Sequence, residues 1–156
     1  MKKLLTIWIV VSTVVVACSP QPQPIEYGKM GCEFCKMTIV DNRYACQLVT
    51  DKGKAYNFDA VECMINYLSE HDDSYSYQLV TDFTNPTNLI DAKNAIYLRS
   101  ASLPSPMGMY ITAVNSEQDA ESLSAVHKGK IYEWTNLISK FQQLPKLQDH
   151  HGGMSH

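Results

Sequence analysis

The chain has 156 residues, with 13 Lys and Arg against 16 Asp and Glu, for a net charge of −3. A mildly acidic, mixed-charge surface argues against nucleic acid, or an anionic lipid surface, as the main partner. It is compatible with cations, and the length suits one domain once an N-terminal signal is set aside.

Lys2 and Lys3 precede an apolar run over residues 4–16 that only Thr6, Ser12 and Thr13 interrupt. A run this short behind a basic start reads as a secretory signal over residues 1–17 rather than a spanning helix. Val15-Val16-Ala17-Cys18 resembles the lipobox of bacterial lipoproteins, with Val where Leu is usual at position 15. The resemblance implies that the Cys18 thiol is acylated, and several acyl chains on one residue make a durable anchor. The alternative is an ordinary cleaved signal that leaves Cys18 a stray thiol. Loss of Lys2 and Lys3 takes the charge from −3 to −5. Ser19-Pro20-Gln21-Pro22-Gln23-Pro24 has no apolar side chain beyond its prolines and favours polyproline geometry, so residues 18–30 read as a lipidated tether. The expected location is the bacterial cell envelope, facing the periplasm, with the tether lifting a domain off the membrane.

Short strands and helices then alternate. Residues 44–50 and 55–58 are β-type runs joined by Asp51-Lys52-Gly53-Lys54, a turn with Gly where φ > 0 is needed. Asp59 and Glu62 have capping-box spacing, and Val61, Met64, Ile65 and Leu68 mark one buried helix face. The polar cluster 70–74 ends that helix, and residues 77–81 alternate as a strand. Residues 95–98 and 109–114 read as strands around a Pro-containing loop, 100–108. Ser116 and Asp119 open a second helix with Ala120, Leu123 and Val126 as its stripe; residues 131–134 form a strand. Leu137, Ile138, Phe141 and Leu144 mark a last helix stopped by Pro145. The order is ββαβ twice with a terminal helix, an α+β domain with mainly antiparallel strands over residues 31–145, in halves of about 31–85 and 86–145. A faint echo between residues 53–58 and 129–134, each a turn, strand and helix start, leaves a duplication open.

Cys32, Cys35, Cys46 and Cys63 remain in the exported chain, where thiols usually serve disulfides or bound metal. A thioredoxin-like pair at Cys32 and Cys35 would need a helix N-terminus after a buried strand, and residues 24–31 form a loop with two glycines instead. A structural zinc or disulfide-stapled module is a second reading, although Cys46 and Cys63 are not a close pair and Cys46 alternates along a strand as core filler would. The third is a soft-metal site. Met37 follows Cys35 by two, so an extended segment would turn both to one side. Thiolate and thioether together favour copper(I). Met30 lies upstream, Met107-Gly108-Met109 adds two thioethers in a Pro/Gly loop, and Met64, on the helical stripe, reads as core.

Cys35-Lys36-Met37 before a hairpin, Phe58-Asp59-Ala60-Val61-Glu62-Cys63-Met64-Ile65-Asn66-Tyr67, and Ser105-Pro106-Met107-Gly108 before a strand and helix together resemble the NosL lipoproteins. Those are copper chaperones associated with the assembly of nitrous oxide reductase, and the resemblance runs from about Gly31 to Phe141. It implies a fold of two ββαβ halves, related to an organomercurial lyase domain. It also implies copper(I) ligands at Cys35, Met37 and Met107. Family members can lack a cysteine at position 32 and can carry a non-ligand at position 63. Cys32 and Cys63 are therefore extra ligands, a disulfide or buried thiols, and Met109 joins the metal-site candidates by proximity alone. The expected partners are a periplasmic copper-accepting enzyme, nitrous oxide reductase, and the membrane through the lipid anchor; a homodimer stays open.

His150, His151 and His156 with Met154 make the polar tail, 146–156, a secondary metal site for copper or zinc, or a solvated end. His71 and His127 lie near helix ends, where the helix dipole accounts for them. No nucleophile elbow, phosphate loop or His-Glu-x-x-His motif is present, so a non-enzyme is expected.

Overall fold

The computed structural model describes residues 19–144. The signal, Cys18 and the tail with His150, His151 and His156 lie outside the described residues. Strands β1 (Cys46–Thr50) and β2 (Ala55–Phe58) form a hairpin in the register Cys46↔Phe58 to Val49↔Ala55. Gly53 closes its turn at φ +82°, as the sequence requires, and its N–H donates to the Thr50 carbonyl at 2.9 Å. Helix α1 (Val61–Glu70) crosses over to β3 (Tyr75–Thr81), which runs antiparallel to β1 on its other side. Strand β4 (Leu89–Asp91) adds to β3, giving the order β2-β1-β3-β4. Strands β5 (Ile96–Arg99) and β6 (Ile111–Val114), helix α2 (Glu117–His127) and strand β7 (Lys130–Glu133) build a second antiparallel sheet in the order β6-β5-β7. Helix α3 (Trp134–Lys140) and a 3₁₀ turn (Phe141–Gln143) follow. The fold is α+β, as expected.

Both sheets place the first strand of their unit in the centre, the second on one side and the post-helix strand on the other. By that topology β2 corresponds to β6 and β3 to β7. The echo between residues 53–58 and 129–134 instead pairs β2 with β7. It reflects a common turn–strand–helix grammar and does not pair strands in the same sheet position. Strand β4 escaped the sequence reading because three residues are too few to show a period.

The helices show how far periodicity carries. On α1, Val61, Met64 and Ile65 are buried, and they recur at the spacing that holds one face. On α2 only Ala120 is buried and Val126 is 74% exposed, contrary to the expected stripe. Positions i, i+3 and i+6 drift by about 60° per step on a 3.6-residue helix, so Val126 has rotated out of the Ala120 face. The Ser116–Asp119 box forms as expected, with the Asp119 N–H donating to Ser116 Oγ at 3.1 Å and Ser116 Oγ to Asp119 Oδ2 at 2.6 Å. Residues 109 and 110, expected in a strand, precede β6 in a loop, and Tyr110 takes φ +62°. His71 stacks on Tyr67 with ring centroids 3.9 Å apart.

Gly129 is required at the entry to β7. Its φ is +123°, and a Cβ there would stand 2.4 Å from the Arg99 carbonyl oxygen on β5. Gly129→Ala is expected to destabilise the domain by roughly 2–4 kcal/mol. The midpoint of urea unfolding measures this.

Candidate metal centre

The Cys-x-x-Cys segment occupies a narrow hairpin. Gly31 and Thr38 form a bridge, the Cys32 N–H donates to the Met37 carbonyl at 2.7 Å, and the Lys36 N–H returns to the Cys32 carbonyl at 3.0 Å. Lys36 turns the chain at φ +63°. The extended geometry that would have aimed Cys35 and Met37 to one side is therefore absent; the chain bends between them. The Glu33 N–H donates to the Asn57 carbonyl at 2.8 Å and docks the hairpin on β2. There it meets the first turn of α1.

That docking brings Cys32, Cys35 and Cys63 together, with their three Sγ atoms within 4.8 Å of one another. Cys32 and Cys63 are buried and Cys35 is half-buried. Sulfurs bound to one ion at about 2.3 Å stand about 4 Å apart, so the group can close on a metal by small side-chain motions. All four described cysteines are free thiols. Cys46 lies apart in the core and donates its S–H to the Tyr44 carbonyl at 3.3 Å, the filler role expected of it.

The thiols are electrostatically unequal. The Cys63 S–H donating to Cys32, with backbone N–H groups of Asp59 and Cys35 behind it, pulls the Cys32 thiol down to about 5. The same contact holds the proton on Cys63, whose pKa is pushed far above the usual thiol range. Burial raises Cys35, although the Met37 N–H partly offsets that. One thiolate and two thiols thus share the site at neutral pH. The low pKa of Cys32 comes from a third cysteine and not from a helix dipole, the device a thioredoxin-like pair uses. Cys32 ionises more easily folded than unfolded, so its stabilisation is present above the ordinary thiol pKa and lost as pH falls through about 5. Thiolate absorbance of the metal-free protein is expected to titrate near pH 5, and Cys63→Ala to move that midpoint upward.

Two carboxylates flank the sulfurs. Their spacing reads as a capping box, and the structure overturns that: the N-cap of α1 is Ala60 and receives no side-chain bond. Asp59 is 2% exposed and its Oδ1 has no partner among the described residues. Burial, then the Cys32 charge, raises its pKa. Glu62 turns inward, its pKa also raised by burial, and its Oε1 accepts from the Ser105 hydroxyl and from the Met109 N–H at 3.3 Å. Ser105 Oγ in turn accepts from the Tyr110 N–H at 2.8 Å. Glu62 thus holds the methionine loop against the helix that carries Cys63.

The sequence profile of the NosL family matches residues 23–141. The chain belongs to the NosL family. Over 68 residues it is 34% identical to the copper-binding lipoprotein NosL of Stutzerimonas stutzeri, a stretch covering 43% of this chain and 35% of that protein. The chain thus matches about a third of that relative's length. The crystal structure of the copper chaperone NosL from Shewanella denitrificans superposes with a TM-score of 0.63 at 22% identity, covering 74% of this chain and 93% of that one, and shares the fold.

Within this NosL-family site the thioethers stand differently from the thiols. Met37 is 56% exposed, and Met107 is 38% exposed at the tip of the turn closed by the Gly108 N–H on the Ser105 carbonyl at 3.0 Å. Met109 packs against the core, and Met30 Sδ accepts from Asn57 Nδ2 at 3.4 Å. Cys63 carried a signal in the sequence. It lies about 200° around the helix from Val61, opposite the apolar stripe, where an ordinary surface helix would be polar. Its burial means that something covers that side, and the Cys hairpin does. Among the described residues no helix is long and apolar enough to cross a membrane.

Proposed function

We propose that this chain is a copper(I) chaperone, lipid-anchored through Cys18 at the cell envelope, that delivers copper to nitrous oxide reductase by ligand exchange. The observation that carries the reading is the group of Cys32, Cys35 and Cys63 sulfurs within 4.8 Å of one another. Soft sulfur donors match a soft, polarisable ion. A closed structural zinc site needs four protein ligands, and among the described residues no fourth His, Cys, Asp or Glu joins the three. Met37 and Met107, both exposed, are the thioethers that complete or relay the ion, as the family resemblance implies. The copper is cargo, held by two or three sulfurs below saturation so that a partner's donors can displace them stepwise. Transfer of this kind needs no general acid or base, and the chain acts as a carrier and not an enzyme. The names of the relatives, copper-binding lipoprotein and copper chaperone, support this.

Anaerobic copper(I) titration followed by mass spectrometry is expected to load one ion per chain at the sulfur site. Absence of binding, together with insulin reductase activity dependent on Cys32 and Cys35, would make the protein a thiol oxidoreductase instead.

A further inference from the structure

Within the stretch read as a polyproline tether, the chain is fastened to the domain. The Gln23 N–H donates to Gln47 Oε1 and Gln47 Nε2 donates to the Gln23 carbonyl, both at 2.8 Å. Gln47 is fully buried at the second position of β1, where Cys46 and Leu48 face the core on the other side. It is an amide placed where an apolar residue would otherwise sit, and its polar atoms are satisfied by backbone from 24 residues earlier and by Asn57 Oδ1 at 2.7 Å. Ile25 packs onto the core, and the Pro20 Cα lies 3.9 Å from where a Cβ on Gly53 would stand, against the β1–β2 turn.

Asn57 extends the same network to the metal centre. Its side chain closes the Gln47 clip and donates to Met30 Sδ, while its carbonyl receives the Glu33 N–H of the Cys hairpin. Whatever fixes the strap therefore also fixes the orientation of the thiol site.

We propose that residues 19–25 are a docked strap, clipped by Gln47, that seats the four-stranded sheet's strap-bearing face toward the lipid surface and sets the height of the cysteine hairpin above it. The membrane half of the proposal rests on acylation at Cys18. From Gln23 the chain has only five residues to Cys18, about 16 Å at polyproline rise; released back to Gly28, it would have ten, about 31 Å. The clip makes a short leash with one preferred face. A free tether would let every face visit the bilayer.

The acylated chain beginning at Cys18 has a single tryptophan, Trp134, because Trp8 precedes it. In phosphatidylcholine vesicles doped with dansyl-phosphatidylethanolamine, energy transfer from Trp134 is expected to change by roughly twofold or more in Gln47→Leu, which removes the clip. Gln23→Pro, which removes the donor N–H without touching the sheet, should move it in the same direction. Hydrogen exchange on the acylated wild type should show a protected Gln23 amide, with protection lost in Gln47→Leu. A Gln23 amide that exchanges at the free-peptide rate overturns the strap. Unchanged transfer in both variants while the chain floats with vesicles overturns the seating. Failure of the wild type to float removes the anchor, and with it the membrane half, while Gln23 protection still decides the strap.

Discussion

Cys32→Ser, Cys35→Ser and Cys63→Ser are each expected to weaken copper(I) binding by more than about 100-fold, because loss of a group that merely orients a metal ligand already costs 10- to 100-fold. Cys46→Ser should leave binding intact, since its sulfur is spent on the Tyr44 carbonyl. Met37→Leu and Met107→Leu should cost less, about tenfold, because thioethers carry no charge and these two are solvent-exposed. The pH dependence is a second, independent mark. Copper(I) needs deprotonated sulfur, and at neutral pH only Cys32 has lost its proton, while Cys35 and Cys63 are raised above the usual thiol range. Loading should therefore release about two protons, and affinity should rise about 100-fold per pH unit in that range. Below pH of about 5, where Cys32 regains its proton, the slope should steepen toward three. Competition titrations against a copper(I) chelator at several pH values measure both. A Cys63→Ser variant with wild-type affinity and an unchanged slope would show that the ion is held without the third thiol.

The fold was legible where the signal is local. The Gly53 turn, the α1 stripe and the Ser116 cap each follow from a few adjacent residues, and the structure contains all three. Failures came where tertiary contact overrides a local rule. The spacing of Asp59 and Glu62 suits a cap equally well whether the side chains curl back to the backbone or turn inward; only the loop from Ser105 to Tyr110, more than forty residues away, decides. The metal centre divides in the same manner. Cys32 and Cys35 announce themselves by spacing, but what brings Cys63 to them is the Glu33 bond to Asn57, a contact no periodicity encodes. The run Cys35-Lys36-Met37 reads as extended because nothing in Lys36 signals a positive φ.

Glu62→Ala is expected to release the methionine loop while leaving the three thiols in place. The carboxylate takes the Ser105 hydroxyl and the Met109 N–H, and its loss leaves both donors buried without their acceptor. A buried donor left without its acceptor costs about 1–3 kcal/mol, so a total destabilisation of about 2–4 kcal/mol should appear in urea unfolding. The effect on copper should be specific. With Met107 no longer held by its turn, affinity should fall about tenfold, as in Met107→Leu itself, and Met107→Leu should add little further in the Glu62→Ala background. Glu62→Gln discriminates this from a general loss of packing. Glutamine keeps an acceptor oxygen at the same reach, and burial already disfavours the ionised form of Glu62, so removing the charge costs the fold little. The Gln variant should therefore bind copper nearly as the wild type does. A Gln variant as weak as Ala, or Ala and Met107→Leu effects that simply add, would mean that Glu62 supports the helix alone and that the methionine loop reaches the thiols by another route.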